Sequence, residues 1–244
     1  MATRFHIGAK DLRGSIEAYA KRFDFLELIL GEVGDKRAMT PATMRKWRKA
    51  VPPHFDFCVV VGPSVAKLKE SAALDAELAE ARAAIDALQA RCVLVRTPAD
   101  VTPGQVWRDR MARLLERLPR DATRVVWEPR GVWDLGDAAL AAKKWDVVLA
   151  VDPSRDPVPT GPVAYGRLRA MGETRSYGAS ALERVLRAIG PRRDVYIVLE
   201  TDKALTEAKA LRRLAQGSSK KEGGLGRVLR PRAAIVKVRD DEQE

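Results

Sequence analysis

Phe55-Asp-Phe-Cys-Val-Val-Val61, followed by Ser64 to Ala90 and then Cys92-Val-Leu-Val95, is the stretch that decides the fold. The first run is apolar enough to be covered on both faces, as strands of parallel sheets are. The middle segment is rich in Ala and Leu. It spaces Leu74, Leu78, Ala81, Ile85 and Leu88 three or four apart, one apolar stripe of an outer helix, with a break near Ser71. The last run is again a strand. A strand, a long helical crossover and a second strand make a βαβ unit.

The same rhythm runs outward in both directions. Towards the N-terminus, Phe25 to Leu30 and Arg4 to Ala9 read as strands, with a helix from Leu12 to Arg22 between them. A further helix opens at Thr40-Pro41, where Thr40 caps and Pro41 occupies the first turn without losing a hydrogen bond. Towards the C-terminus come a helix over Gln105 to Leu118, a strand over Arg124 to Glu128, a helix over Leu135 to Lys143 and a strand over Asp146 to Val151. Pro153, Pro157, Pro159 and Pro162 then exclude a crossover helix before the seventh strand, Val163 to Leu168. A helix over Ala179 to Ile189, a strand over Asp194 to Leu199 and a helix over Lys203 to Leu214 complete the set.

Eight such strands in 244 residues predict an α/β fold, a TIM-type (β/α)8 barrel, irregular between strands six and seven and spanning 1–215. Gln216 opens a different composition. Residues 216–244 read as a Gly/Ser/Lys-rich loop and a basic C-terminal extension, with Ala233 to Val238 as a short extra strand and an acidic end.

Composition narrows the class. At 46% hydrophobic and 32% charged the chain is globular. The uncharged run Phe57 to Ala66 is ten residues long and holds Gly62 and Pro63, too short for a bilayer, which takes ~20 apolar residues. No secretory signal is visible in Met1 to Lys10, so the expectation is a cytoplasmic protein without a membrane partner. Cys58 and Cys92 sit in apolar runs and read as buried reduced thiols. The net charge of +11 leaves two readings open: a nucleic acid or other polyanion as partner, or the arginine-rich usage of a GC-rich bacterial proteome.

In barrels of this kind function sits where strands end and βα loops begin. That rule gathers Lys10, Asp11, Glu27, Glu32, Arg96, Glu128, Arg130, Asp152, Arg155, Arg167, Arg169, Glu200 and Asp202 at one mouth. Glu128 is the catalytic candidate, as acid/base or metal ligand. Lys10, Arg130, Trp133, Arg167 and Arg169 are the candidates for holding an anion, since a guanidinium offers a planar two-pronged donor to phosphate or carboxylate. Glu27, Asp152, Tyr177, Glu200 and Asp202 are supporting residues. The competing reading is an internal network in which Glu27, Glu128 and Glu200 neutralise Arg130 and Arg167, because buried charges must be paired.

No cofactor is expected, although a carboxylate-only Mg²⁺ site from Glu128, Asp152, Glu200 and Asp202 stays open. Zinc would want His or Cys, and His6, inside the first strand, and His54, before the third, are expected at opposite ends. No nucleophile elbow and no phosphate-binding glycine loop occurs. Trp47, Trp107 and Trp145 read as core filling, whereas Trp133, beyond Arg130, is expected near a ligand.

Several segments in order resemble the YecE-like family, domain of unknown function number seventy-two. They are Leu26-Glu27-Leu28, Pro41-Ala-Thr-Met-Arg-Lys-Trp47 with Phe55 and Phe57, Glu128-Pro-Arg130-Gly131-Val-Trp133, Tyr165-Gly-Arg167-Leu168-Arg169, Tyr177 and Asp194-Val-Tyr196. The resemblance covers about Phe5 to Ala215 and implies a TIM-like barrel of unestablished activity, with nucleic-acid processing suggested by analogy. The chain departs from the pattern in four places. Ile29-Leu-Gly-Glu-Val33 replaces a polar stretch, Gly131 and Arg169 replace histidines, and Glu200-Thr201-Asp202 replaces asparagines. Two functional classes follow: a barrel binding a phosphate-containing or nucleic-acid ligand at its mouth, with phosphodiester-type hydrolysis as its chemistry, or a non-catalytic nucleic-acid-binding or protein-interaction barrel with a degenerate site.

Overall fold

The computed structural model describes residues 3–12, 14–30, 39–171 and 175–222, with backbone alone from 217. The elements run β1 (Arg4–Ala9), α1 (Ile16–Ala20), β2 (Phe25–Ile29), α2 (Pro41–Ala50), β3 (Asp56–Val60), α3 (Pro63–Ala66), α4 (Ala72–Leu88), β4 (Cys92–Thr97), α5 (Gln105–Arg117), β5 (Arg124–Pro129), α6 (Leu135–Lys144), β6 (Val148–Val151), β7 (Val163–Arg169), α7 (Ala179–Ile189), β8 (Asp194–Glu200) and α8 (Ala204–Glu222). Every strand pairing is parallel, and the ladder runs β1-β8-β7-β6-β5-β4-β3-β2. This is the expected (β/α)8 barrel, nearly closed, with β6 linked to β7 without a helix.

Local chemistry sets the element ends. Ser71 accepts from Leu74 N at 3.1 Å and starts α4 afresh, which is the break expected there. Thr40 caps α2 by accepting from Thr43 N at 3.3 Å, and Pro41 opens the helix. Helix α1 begins later than the expected Leu12, because Gly14 takes φ +83° and Ser15 supplies the cap. Helix α8 runs on past Gln216, where composition signalled a loop, to Glu222. Its buried Ala208 and Leu211 dock on the core, and each further residue of an anchored helix adds a hydrogen bond. The basic residues from Arg227 onward and the strand expected over Ala233 to Val238 lie outside the described residues, as does Glu32.

Alternation along the strands creates two apolar compartments. Odd positions of β1 and β8 and their equivalents face the helices and form the larger core, including Ile7, Phe57, Val93, Trp127 and Ile197. The other set fills the lumen: Phe25, Cys58, Cys92, Leu94, Val126, Tyr165, Tyr196 and Val198. Both cysteines are free and fully buried, and burial pushes both thiols up.

β1 and β2 are the ends of the ladder, and one side chain bridges the seam between them. The Tyr19 hydroxyl accepts from Ala9 N at 2.8 Å, while Phe25 O at 3.0 Å and Ala9 O at 3.1 Å compete for its proton. Asp24 N donates to Ile7 O across the same gap at 2.9 Å. Gly8 is required there, since a Cβ would collide with Phe25 O. No helix among the described residues is long and apolar enough to cross a membrane.

Candidate functional site

The period of two that fills the lumen with apolar side chains ends in charge at the C-terminal mouth. Phe25 is followed two residues on by Glu27, Leu94 by Arg96, Val126 by Glu128, Tyr165 by Arg167 and then Arg169, and Val198 by Glu200. Five strands therefore deliver three carboxylates and three guanidiniums to one layer. Arg167 lies at its centre, with a side chain only 3% exposed. It donates to Glu27 Oε1 through Nη1 and to Glu200 Oε1 through Nε at 2.7 Å, with Nη2 2.6 Å from the same oxygen. Its Nε is also 3.5 Å from Glu128 Oε2.

Glu128 is shared further. Arg96 Nε donates to its Oε2 at 2.9 Å, and Arg169 Nη2 donates to its Oε1. Arg169 Nε is 3.4 Å from Glu200 Oε1, and the Tyr165 hydroxyl donates to Glu27 Oε1. Three negative charges thus meet three positive ones, which is what makes a buried layer of this kind tenable. Burial alone would raise the Glu128 carboxyl; the charges of Arg167, Arg96 and Arg169 outweigh it and hold the group below its usual range. Glu128 is ionised at neutral pH, not a buried acid with a raised pKa.

The network has the composition of the competing reading with one exchange. Glu27, Glu128 and Glu200 do neutralise Arg167, but Arg96 and Arg169 complete the set where Arg130 was expected. β5 ends at Pro129, and Gly131 at φ +83° turns the chain away, so Arg130 is exposed and makes no ion pair among the described residues. It lines a cavity of about 360 Å³ together with Glu128, Trp133, Asp152, Asp156 and Arg169. A Cβ at Gly131 would lie 2.7 Å from Ala99 O, so this position has no room for the histidine of the family pattern.

The other expected residues take separate roles. Trp133 borders the cavity, but its Nε1 donates to Val101 O at 2.7 Å and its ring packs edge-on against Trp127, with centroids 4.8 Å apart. Asp152 is buried and holds its own loop: Oδ1 accepts from Ser154 N at 3.0 Å and Ser154 Oγ at 2.6 Å, and Oδ2 from Arg169 N at 3.3 Å. The Tyr177 hydroxyl is 3.1 Å from Ser154 Oγ, and its amide donates to Glu207 at 2.6 Å, tying the loop after β7 to α8. Burial raises the Tyr177 phenol. Lys10 and Asp202 are exposed, and neither side chain makes an ion pair among the described residues.

The donor set does not suit a divalent cation. Glu128 and Glu200 are bridged by arginines and Asp152 by its loop, and among the described residues no group of three His, Cys, Asp or Glu side chains is placed to hold a metal ion. Sequence reasoning placed Arg96 at the mouth without assigning it a part, and missed Tyr165 and Glu207. The signal for Arg96 was the lumen alternation Cys92, Leu94, Arg96.

His6 and His54 were expected at opposite ends; both line one cavity at the N-terminal end of the barrel. His54 enters β3 at the end where β1 begins, because all strands are parallel. Two buried side-chain polar atoms among the described residues lack a hydrogen bond: Arg96 Nη2 at the mouth and His6 Nε2 at this opposite end.

The comparisons with known proteins agree with this architecture. A DUF72 family protein from Enterococcus faecalis aligns with a TM-score of 0.68 and 14% identity, covering 87% of this chain and 97% of that one. A DUF72 family protein from Thermotoga maritima gives 0.61 and 14%, covering 89% and 99%. A xylose isomerase domain containing protein from Salmonella typhimurium gives 0.52 and 16%, covering 84% and 92%, a likeness of fold alone. No curated protein matches. Residues 7–232 match the family described as "Protein of unknown function DUF72", and the chain is a member of that family, the YecE-like barrels.

Proposed function

We propose that the barrel mouth binds a small phosphate-bearing ligand, gripped by Arg130 and Arg169 above the Glu128 network, and that it binds without turning the ligand over. One observation carries the reading: Arg130, exposed and with no carboxylate partner among the described residues, lines the same cavity as the half-exposed Arg169. Two guanidiniums lining one cavity suit the oxygens of a phosphate. Arg167 serves as the neutralised base of the site, not as a clamp. Phosphodiester hydrolysis would need a free base or a metal-binding carboxylate set, and Glu128, Glu200 and Asp152 are all committed to protein partners. A nucleic acid offers the same phosphate chemistry, but a cavity of about 360 Å³ favours a compact ligand.

Calorimetric titration with glycerol 3-phosphate, and separately with a single-stranded oligonucleotide, tests this. Arg130→Ala should weaken glycerol phosphate binding at least about tenfold while leaving the melting temperature unchanged, because the side chain is exposed. Unchanged affinity in that variant overturns the site. Tighter binding of the oligonucleotide, falling steeply with salt, replaces the small ligand by nucleic acid. Hydrolysis of bis(p-nitrophenyl) phosphate in the presence of Mg²⁺, abolished by Glu128→Gln, overturns the non-catalytic half.

A further inference from the structure

The end of the lumen opposite the mouth carries its own polar layer. By the same alternation, Arg4 and His6 on β1, Asp56 on β3, Arg124 on β5 and Asp194 on β8 precede the apolar lumen residues. The His6 ring stacks on Tyr196 with centroids 4.5 Å apart, its Nδ1 is 3.3 Å from Asp56 Oδ2, and its Nε2 is 3.8 Å from Asp194 Oδ1. Asp56 also accepts from the Tyr196 hydroxyl at 3.0 Å. Asp194 meets Arg4 at 2.7 Å and Arg193 at 2.9 Å. These two carboxylates are therefore satisfied by groups already present.

Of the charged groups left over, three are cationic, Arg91, Arg124 and Lys143, against one carboxylate, Asp121. Arg91 and Arg124 line the cavity and make no ion pair or side-chain hydrogen bond among the described residues, and His6 Nε2 is buried without a hydrogen-bond acceptor. The cavity measures about 1030 Å³. It extends sideways because the link from β6 to β7 has no helix: Val158 to Val163 form one wall, and Ala139 and Leu140 of α6 another, with Leu140 68% exposed. The four prolines that bar a crossover helix thus leave room beside the lumen, lined by cationic and apolar groups together.

We infer that the N-terminal end of the barrel is a second ligand site, distinct from the mouth, for a phosphorylated small molecule of sugar-phosphate size or somewhat larger. Uncompensated donors call for an acceptor-rich, anionic group, and two unpaired guanidiniums balance a phosphate dianion. The volume calls for an organic body attached to it, since it lies at the upper end of ordinary ligand pockets. Arg91 and Arg124 hold the phosphate, His6 Nε2 offers a further donor when protonated there, and the Leu140 flank takes the body.

The chain provides a selective reporter, because His6 and His54 are its two histidines and both line this cavity, while neither lines the mouth. Imidazole resonances of histidine-labelled protein are followed by NMR during titration with ribose 5-phosphate, ribose and inorganic phosphate. Ribose 5-phosphate should shift the His6 and His54 signals saturably, ribose should not, and inorganic phosphate should bind more weakly. Arg124→Met and Arg91→Met, both exposed and removable without unfolding, should each weaken the titration at least about tenfold, and Arg130→Met should leave it unchanged. Absence of a saturable shift at millimolar ligand, an equal response to ribose, or loss in Arg130→Met with retention in Arg124→Met overturns the site. Inorganic phosphate binding as tightly as the sugar phosphate overturns the assigned ligand size. Because the reporter is silent on the mouth, failure here and failure of the glycerol phosphate titration are separate results.

Discussion

Replacing Arg167 by Met tests whether the mouth is held as a charge-balanced unit. Methionine keeps the unbranched stem and removes one positive charge from a layer of three carboxylates and three guanidiniums. Glu27, with a side chain 2% exposed, then keeps only the Tyr165 hydroxyl and Arg96 Nη2 at 3.7 Å, and Glu200 keeps only Arg169. An uncompensated buried carboxylate costs about 3–5 kcal/mol. For a chain of this size each kcal/mol lowers the melting temperature by roughly 2–4 °C, so a fall of roughly 6–20 °C is expected. Raising the salt concentration should not reproduce the loss in the parent protein, because a layer this buried is poorly screened. In the double variant Arg167→Met/Glu27→Gln the charge balance returns, and its cost should be smaller than the sum of the two single costs by at least about 1 kcal/mol. Urea denaturation, followed by tryptophan fluorescence and circular dichroism together to check two-state behaviour, measures all four species. An Arg167→Met variant within about 0.5 kcal/mol of the parent would falsify the network as a stabilising unit, since that is the range of an ordinary surface change. Strict additivity in the cycle would do the same.

Three other outcomes are expected. The carboxyls of Glu128 and Asp194 lie below their ordinary values in the folded protein, so their contribution is complete above the unfolded carboxylate range near ~4 and is lost as pH falls through the lowered folded values. Stability measured from neutral to acid pH should drop in that window, and drop less in Arg169→Met; a flat profile would contradict the ion pairing. Tyr19→Phe should cost about 1–3 kcal/mol and speed hydrogen exchange of the Ala9 amide, whose acceptor is lost; protection equal to the parent would show that the hydroxyl does not bridge the seam. Gly131→Ala should destabilise by about 1–2 kcal/mol or more, from the left-handed backbone at φ +83° and the approach of Ala99 O at 2.7 Å; an unchanged melting temperature would refute that geometry.

The departures from the family pattern make sense at this level. Gly131 stands where the backbone leaves no space for a side chain, and Arg169 supplies the third positive charge that balances Glu27, Glu128 and Glu200. A histidine at 169 would reach neither carboxylate in the same forked manner. Two of the replacements, Arg169 and Glu200, are thus part of the charge layer itself.

Fold and strand ends were legible because they depend on local rules. Alternating apolar runs, the cap at Ser71, the Thr40-Pro41 start and the proline cluster before β7 each act over a few residues. The same alternation put Glu27, Arg96, Glu128, Arg167, Arg169 and Glu200 at one end of a barrel. Which guanidinium meets which carboxylate was decided by tertiary structure alone. Pro129 and the positive φ of Gly131 swing Arg130 outward, and the stagger of neighbouring strands brings Arg96 and Arg169 into its place. Likewise, nothing local says that residue 54 in a loop and residue 6 in a strand share a cavity; that follows from parallel strands all starting at one end. Period-two patterning fixes the side of a strand on which a residue lies, whereas partners across the lumen depend on shear and on angstrom-scale reach, which a single chain of letters does not encode pair by pair.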